Sequence, residues 1–247
     1  MSKIVTSGMI VIGNEILSGR TQDKNINYIA KKLVENGIVL SEVRIVPDIE
    51  DRVISSVQEF SERFDYVFTS GGIGPTHDDI TAECVSKAFD AKYEMNDEAY
   101  AILQDHYGKE EFTPARQKMA MTPKGATLIP NPVSSAPGFV IENVHVMAGV
   151  PAIFQAMIDH VVITLKGGDV IQSRTVPSRF PESKLAEGLG DIQKKFPSVD
   201  IGSYPYFKDG ELGVNVVLRS SDEGLLSEAV MDVEFIISAL EEKEGDV

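Results

Sequence analysis

The stretch Tyr66-Val67-Phe68-Thr69-Ser70-Gly71-Gly72-Ile73-Gly74-Pro75-Thr76-His77-Asp78-Asp79-Ile80-Thr81 decides the fold. Tyr66 to Thr69 is a short apolar run, as expected of a strand buried on both faces. It breaks into three glycines and a proline. Ile80, Cys84, Val85 and Ala88 then recur at helical spacing. A strand, a glycine loop and a helix in immediate succession make the first part of a βαβ unit.

The same grammar precedes this stretch twice. Thr6 to Ile12 is rich in β-formers and ends at Gly13. After the polar segment Ser18 to Asp23, Ile26, Ile29, Leu33 and Val34 mark an amphipathic helix, and Gly37 suits its left-handed C-terminal cap. Ile38 to Val46 is strand-like and stops at Pro47-Asp48. Val53, Ile54, Val57 and Phe60 mark the next helix, with Asp48 placed to cap it. Three strand–helix repeats favour right-handed crossovers and an α/β fold with a mostly parallel sheet. Further on, Pro114 opens a helix, Thr127–Ile129 and His145–Met147 read as strands, and Pro151 fits a first helical turn.

Lys166-Gly167-Gly168-Asp169 is the best linker, dividing the chain into domains 1–168 and 169–247. The second part reads differently. Val170 to Val176 is strand-like, Glu182 to Lys195 helical and Ile201 to Phe207 strand-like. Asp209-Gly210 is a two-residue hairpin signal leading into Leu212–Leu218. Leu225, Leu226, Ala229, Val233, Ile236, Ile237 and Leu240 supply a last amphipathic helix. The order βαββα predicts a small α+β domain, and Glu241, Glu242, Glu244 and Asp246 read as a solvated tail.

The 247 residues are 43% hydrophobic and 25% charged, the balance of a globular chain with a sizeable core. Lys plus Arg total 23 against 38 Asp plus Glu, a net charge of −15. That field argues against nucleic acid and anionic membrane surfaces as partners. One cysteine, Cys84, cannot form an internal disulfide and reads as a packed core thiol, consistent with the cytoplasm. No apolar run approaches the roughly 20 residues of a membrane span, and no signal peptide is expected.

Ligands of open parallel sheets bind at the carboxyl ends of the strands. Three clusters fall there: Gly13-Asn14-Glu15, Pro47-Asp48, and Gly71 to Asp79. Gly71, Gly72 and Gly74 let the backbone approach a ligand, and their N–H groups with the following helix start make an anion site. Thr76 adds a hydroxyl, while Asp78 and Asp79 add charge at the same place. A plain glycine turn followed by N-capping aspartates is the simpler reading of this loop. Asp48 reads equally as a helix cap, and Glu15 as a surface acid. Carboxylates beside an anion loop become coherent once a divalent cation (Mg²⁺, Mn²⁺ or Co²⁺) bridges them to phosphate oxygens. Glu15, Asp48 and Asp79 are the expected metal ligands, and Asp48, Asp78 and Asp79 the expected catalytic acids. Gly71, Gly72, Gly74, Thr76, Asn14 and Lys118 form the expected phosphate and substrate set, with Arg20, Lys24 and Arg116 as further candidate phosphate partners. His77 lies in the loop as a candidate for metal or substrate. His106, His145 and His160 sit in periodic segments and read as structural.

These residues resemble the molybdopterin-binding (MoaB/MogA-like) domain superfamily. The resemblance rests on Ile10-Val11-Ile12-Gly13-Asn14-Glu15-Ile16-Leu17-Ser18-Gly19, Val46-Pro47-Asp48 and Gly71 to Thr81. It is closest to the N-terminal domain of CinA and the corresponding domain of eukaryotic FAD synthases. Thr21-Gln22-Asp23, Ser135-Ala136-Pro137-Gly138-Phe139, Gly149-Val150-Pro151 and Gly202-Ser203-Tyr204-Pro205 carry that subgroup pattern. The resemblance implies a three-layer α/β/α fold, homo-oligomerisation, and metal-dependent cleavage of a dinucleotide pyrophosphate such as FAD or ADP-ribose, favoured by Co²⁺ and K⁺. The chain stops before the amidase domain of CinA or the adenylyl-transfer domain of FAD synthase, so a stand-alone protein is the expectation. Two alternatives stand beside hydrolysis: binding or adenylylation of molybdopterin, a pterin substrate, in the same crevice, and a non-enzymatic assembly module.

Overall fold

The computed structural model describes residues 4–208 and 210–245. It divides between Gly168 and Asp169 into two compact units. The first contains, in chain order, β1 (Val5–Ile12), α1 (Asn14–Leu17), α2 (Asn25–Glu35), β2 (Ile38–Val46), α3 (Glu50–Arg63), β3 (Tyr66–Ser70) and α4 (Thr81–Ala88). There follow β4 (Tyr93–Met95), α5 (Asp97–Glu111), α6 (Pro114–Gln117), β5 (Met121–Pro123), β6 (Thr127–Ile129), β7 (Gly138–Ile141), β8 (Val144–Met147) and α7 (Pro151–Val162).

Six of these strands form one sheet in the order β2-β1-β3-β8-β7-β6. β1 pairs in parallel with β2 and β3, and β3 with β8; β7 runs antiparallel to β8 and β6. The central strands are apolar on both faces because helices cover both. On one side Met9, Val11, Phe68 and Met147 pack against Ile29 and Leu33 of α2 and Phe154, Met157 and Ile158 of α7. On the other, Ile10, Ile12, Val67 and Val146 pack against Val53, Val57 and Phe60 of α3 and Cys84 and Val85 of α4. This is the three-layer α/β/α arrangement with a mostly parallel sheet.

The helix boundaries follow local chemistry. Gly37 takes φ +68° immediately after the C-cap of α2, the left-handed turn a glycine accommodates best. Pro151 occupies the first turn of α7, and Thr113 caps the short α6. Five elements escape a reading by periodicity, among them the single-turn α1, which buries no residue. β4 and β5 are three-residue strands paired only with each other, and β7 is four residues long. α5 buries only Ala99 and Leu103, too few apolar positions to show a stripe.

The second unit contains β9 (Gln172–Ser178), α8 (Glu182–Lys195), β10 (Asp200–Lys208), β11 (Glu211–Ser220) and α9 (Glu223–Gly245). Its antiparallel sheet has the order β10-β11-β9. Val176, Val214, Val216 and Leu218 pack against Leu185 and Ile192 of α8 and Leu226, Ala229 and Val233 of α9. The expected hairpin residue Asp209 and the tail residue Asp246 lie outside the described residues. Glu241, Glu242 and Glu244 belong to the end of α9, where Glu241 and Glu242 are exposed to solvent. Among the described residues no helix is long and apolar enough to cross a membrane.

Candidate functional site

The carboxyl ends of β1, β2, β3 and β8 are tied to one another by backbone hydrogen bonds. Gly13 N–H donates to Val46 O at 3.1 Å, and Gly71 N–H to Met147 O at 3.1 Å. Asn25, buried at the start of α2, donates through Nδ2 to Ser70 Oγ and to Gly149 O, both at 2.8 Å. The loops after these strands therefore share one mouth. There they enclose a cavity of about 500 Å³.

Close packing explains the glycines. Gly71 has φ +110°, and a β-carbon there would lie 2.2 Å from Ile12 O. A β-carbon on Gly72, at φ +70°, would strike Thr81 Oγ1. That hydroxyl donates to Gly71 O at 2.9 Å, and Thr81 N–H donates to Gly72 O at 2.9 Å. The loop is thus stitched to the first turn of α4, and only glycine fits the approach.

Of the residues expected at the site, Glu15, Asp48, Gly71, Gly72, Gly74, Thr76, Asp78 and Asp79 all line this one cavity. Asn14 and Lys118 do not. Asn14 contributes its backbone N–H, which donates to Asp48 Oδ2 at 2.9 Å. Lys118 Nζ donates to Thr76 O at 2.6 Å and lines a small neighbouring cleft, so it braces the glycine loop from outside. Asp48 is not the cap of α3: that position belongs to Ile49, with no side-chain cap. Asp78 and Asp79 do not cap α4 either, because its cap is Ile80. Asp79 instead accepts from Thr76 N–H at 2.8 Å, folding the loop upon itself.

The acids here form a negative edge. The Thr76 hydroxyl lies within hydrogen-bond distance of both Asp78 Oδ1 and Asp79 Oδ2. One hydroxyl proton cannot satisfy two carboxylates. The hydrogen bond from Thr76, and then its own backbone N–H, hold the Asp78 carboxyl below its usual range. The Glu15 carboxylate folds back over Gly13, 2.5 Å from where a β-carbon would stand.

Among the described residues no group of three or more His, Cys, Asp or Glu is arranged to hold a metal ion. Glu15, Asp48 and Asp79 share a cavity without converging on a point, because the latter two are turned toward backbone N–H groups. An all-protein cation cage is therefore not what this donor set builds. One or two carboxylates completed by ligand phosphates match it better, and Mg²⁺ commonly binds in that way.

The remaining candidates separate cleanly. His77 projects into solvent, 98% exposed, 4.0 Å from Asp78. Arg116 pairs with Glu111 at 2.9 Å and stacks on Tyr107, away from the cavity. Arg20 and Lys24 do not line it. Residues that the sequence reading did not assign to the site complete the walls: Thr21, Asn131 and Ser134 on the polar side, and Met119, Val150 and Ile153 on the apolar. Asn131 and Ser134 sit in the Pro/Ser-rich segment before β7, a loop signature that marks where a chain turns and not what it faces.

Known proteins match this chain across both units. The model of the probable molybdopterin binding domain matches residues 8–167, and that of the FAD synthase middle domain matches residues 170–243. A protein of Archaeoglobus fulgidus is 34% identical over 230 residues, covering 93% of this chain and 97% of its own. One of Pyrococcus furiosus is 32% identical, covering 96% and 98%. The crystal structure of CinA from Thermoplasma acidophilum is similar at 33% identity and a TM-score of 0.60, over 63% of this chain and 95% of that one.

Proposed function

Because the chain belongs to the probable molybdopterin binding domain family, we propose that it hydrolyses the pyrophosphate bond of a dinucleotide such as FAD or ADP-ribose with the help of a divalent cation. The observation that carries this reading is the shared cavity: a glycine loop for oxyanions and four carboxylates from three strand ends line the same 500 Å³. The match of residues 170–243 to a domain of FAD synthase supports the dinucleotide class.

In this reading the N–H groups of Gly72, Ile73 and Gly74 hold the pyrophosphate oxygens, since those of Gly71 and Thr76 are already bonded within the fold. Val150 and Ile153 offer an apolar wall to a flat ring. Asp48 and Asp79 are the residues to hold Co²⁺, Mg²⁺ or Mn²⁺, together with the phosphates, and Glu15 stands beside them; K⁺ is a further candidate cofactor. When bound, the divalent cation supplies charge neutralisation and Lewis acidity at phosphorus. Asp78, kept ionised by its hydrogen bonds, accepts and orients a water.

A panel of FAD, ADP-ribose, NAD and CoA against Mg²⁺, Mn²⁺, Co²⁺ and Ni²⁺, with products identified by mass, tests the reading. No cleavage of any dinucleotide under any cation refutes it. The family's own description favours a second reading, molybdopterin binding or adenylylation in the same crevice. That reading alone has an adenylylated product form from ATP, Mg²⁺ and molybdopterin. We further propose a cytoplasmic homo-oligomer; light scattering of the purified chain tests the oligomer, and cell fractionation the location.

A further inference from the structure

Asn131 is buried, 7% exposed, in the loop between β6 and β7, and its carboxamide makes four hydrogen bonds. Oδ1 accepts from Val133 N–H at 3.0 Å and from Ser134 N–H at 3.1 Å. Nδ2 donates to Ser134 Oγ at 2.7 Å and to Ala136 O at 2.8 Å. Two acceptors on one side and two donors on the other fix the orientation of the amide. The consequence falls on Ser134. Its oxygen is already an acceptor, and its hydroxyl proton meets no acceptor among the described residues.

The neighbouring residue shows that the turn is built for this. Ser135 holds φ +61°, a conformation costly for a residue other than glycine. Its N–H donates to Asn131 O at 3.0 Å, and its hydroxyl pairs with His106 Nδ1 on α5 at 3.0 Å. The left-handed residue sends its side chain to α5, while Ser134 and Asn131 line the cavity that also holds Gly71 to Thr76. A fixed hydroxyl with an uncommitted proton, in a cavity edged by carboxylates, is suited to an acceptor oxygen that arrives with the ligand.

We propose that Ser134 is an oxyanion-binding residue that donates its hydroxyl proton to a phosphate oxygen of the bound pyrophosphate, with Asn131 as its positioning residue. The assignment rests on the reading of the cavity as a pyrophosphate site. It adds a second donor group, from the β6–β7 loop, to the backbone donors of the glycine loop.

The test is calorimetric titration of the full chain with inorganic pyrophosphate and Mg²⁺, with thermal melting of each variant alongside. Ser134→Ala should bind about tenfold more weakly, the loss of one hydrogen bond to a charged group, and should melt somewhat lower because the buried Asn131 Nδ2 loses one of its two acceptors. Ser134→Thr, which restores the hydroxyl, should bind within about threefold of wild type. Asn131→Asp keeps the shape but offers Ser134 an internal acceptor, so it should bind weakly although the hydroxyl remains. Wild-type affinity in Ser134→Ala overturns the proposal, and wild-type affinity in Asn131→Asp overturns the positioning role. A wild-type chain that binds no pyrophosphate overturns both this inference and the reading it rests on. Ser134-dependent binding without cleavage of any dinucleotide upholds the inference and refutes the hydrolase.

Discussion

Asp48 Oδ2 accepts a hydrogen bond from the Asn14 backbone N–H at 2.9 Å, so the residue beyond β2 fixes the loop beyond β1. Asp48 is therefore both a structural acceptor and an acid of the cavity, and two substitutions separate the roles. Asp48→Asn keeps an oxygen acceptor and removes the charge. Its stability by urea denaturation should stay within about 0.5 kcal/mol of wild type, while cation-stimulated dinucleotide cleavage falls at least about tenfold. Asp48→Ala loses the acceptor too and should be destabilised by about 1–2 kcal/mol. A normal cation response in Asp48→Asn removes the residue from the proposed site.

Asp79 faces the same division. In Asp79→Asn the side-chain carbonyl can still accept from Thr76 N–H, so the chain should fold and melt as wild type. Metal-stimulated hydrolysis should be lost. Without any cation, this variant should bind ADP-ribose better than wild type does, because one of the carboxylates repelling the phosphates is gone. Unchanged Co²⁺-dependent turnover sinks the assignment.

Two glycines with positive φ should respond unequally to alanine. At Gly71 the added methyl meets Ile12 O at 2.2 Å, whereas at Gly19, φ +73°, nothing lies within 4 Å. Gly19→Ala should cost about 1 kcal/mol, from backbone strain alone. Gly71→Ala should cost about 3 kcal/mol or more, since strain and a clash with main chain add. Equal midpoints in denaturant would show that the glycine loop yields more easily than its packing implies.

His145 lies in the sheet beside the rings of Phe68 and Tyr66, and its Nδ1 has no hydrogen-bond partner among the described residues. Burial pushes its pKa down from the ordinary histidine value of 6.5. The folded chain thus keeps a neutral imidazole at pH values where the unfolded chain takes up a proton. Stability from this group is fully present above pH 6.5 and falls as the pH drops below it, until the folded pKa is reached. His145→Phe should flatten that part of the stability–pH curve. An identical slope between pH 7 and 5 in the two proteins refutes the effect.

Cys84 is 1% exposed on the inner face of α4, and burial pushes its thiol up to about 12. Ellman's reagent should find no reactive thiol in the native chain at pH 8 and one after unfolding.

The βαβ grammar was legible because buried parallel strands and amphipathic helices impose periodicities that neighbours cannot disguise. Ile29 and Leu33, or Val53, Val57 and Phe60, announce their faces by spacing alone. The cavity acids were legible only as types at strand ends. Asp48 illustrates the limit: a carboxylate two residues before a helix reads as a cap, and nothing local reveals that Asn14 N–H, 34 residues earlier, captures it. Lys118 reads as a cation near a phosphate site, and nothing local reveals that its Nζ donates to Thr76 O, 42 residues earlier.

The sequence by itself determined the layers, the strand ends that carry ligand chemistry, and the family, because periodicity and ungapped motifs are properties of the chain. Only the tertiary structure decided how each donor and acceptor is used. It placed Asn131 and Ser134 on the cavity that the glycine loop also lines, turned Asp48 and Asp79 toward backbone N–H groups, and left the Ser134 hydroxyl proton without an acceptor among the described residues. Hydrogen bonds are satisfied in space, between residues whose separation along the chain carries no signal.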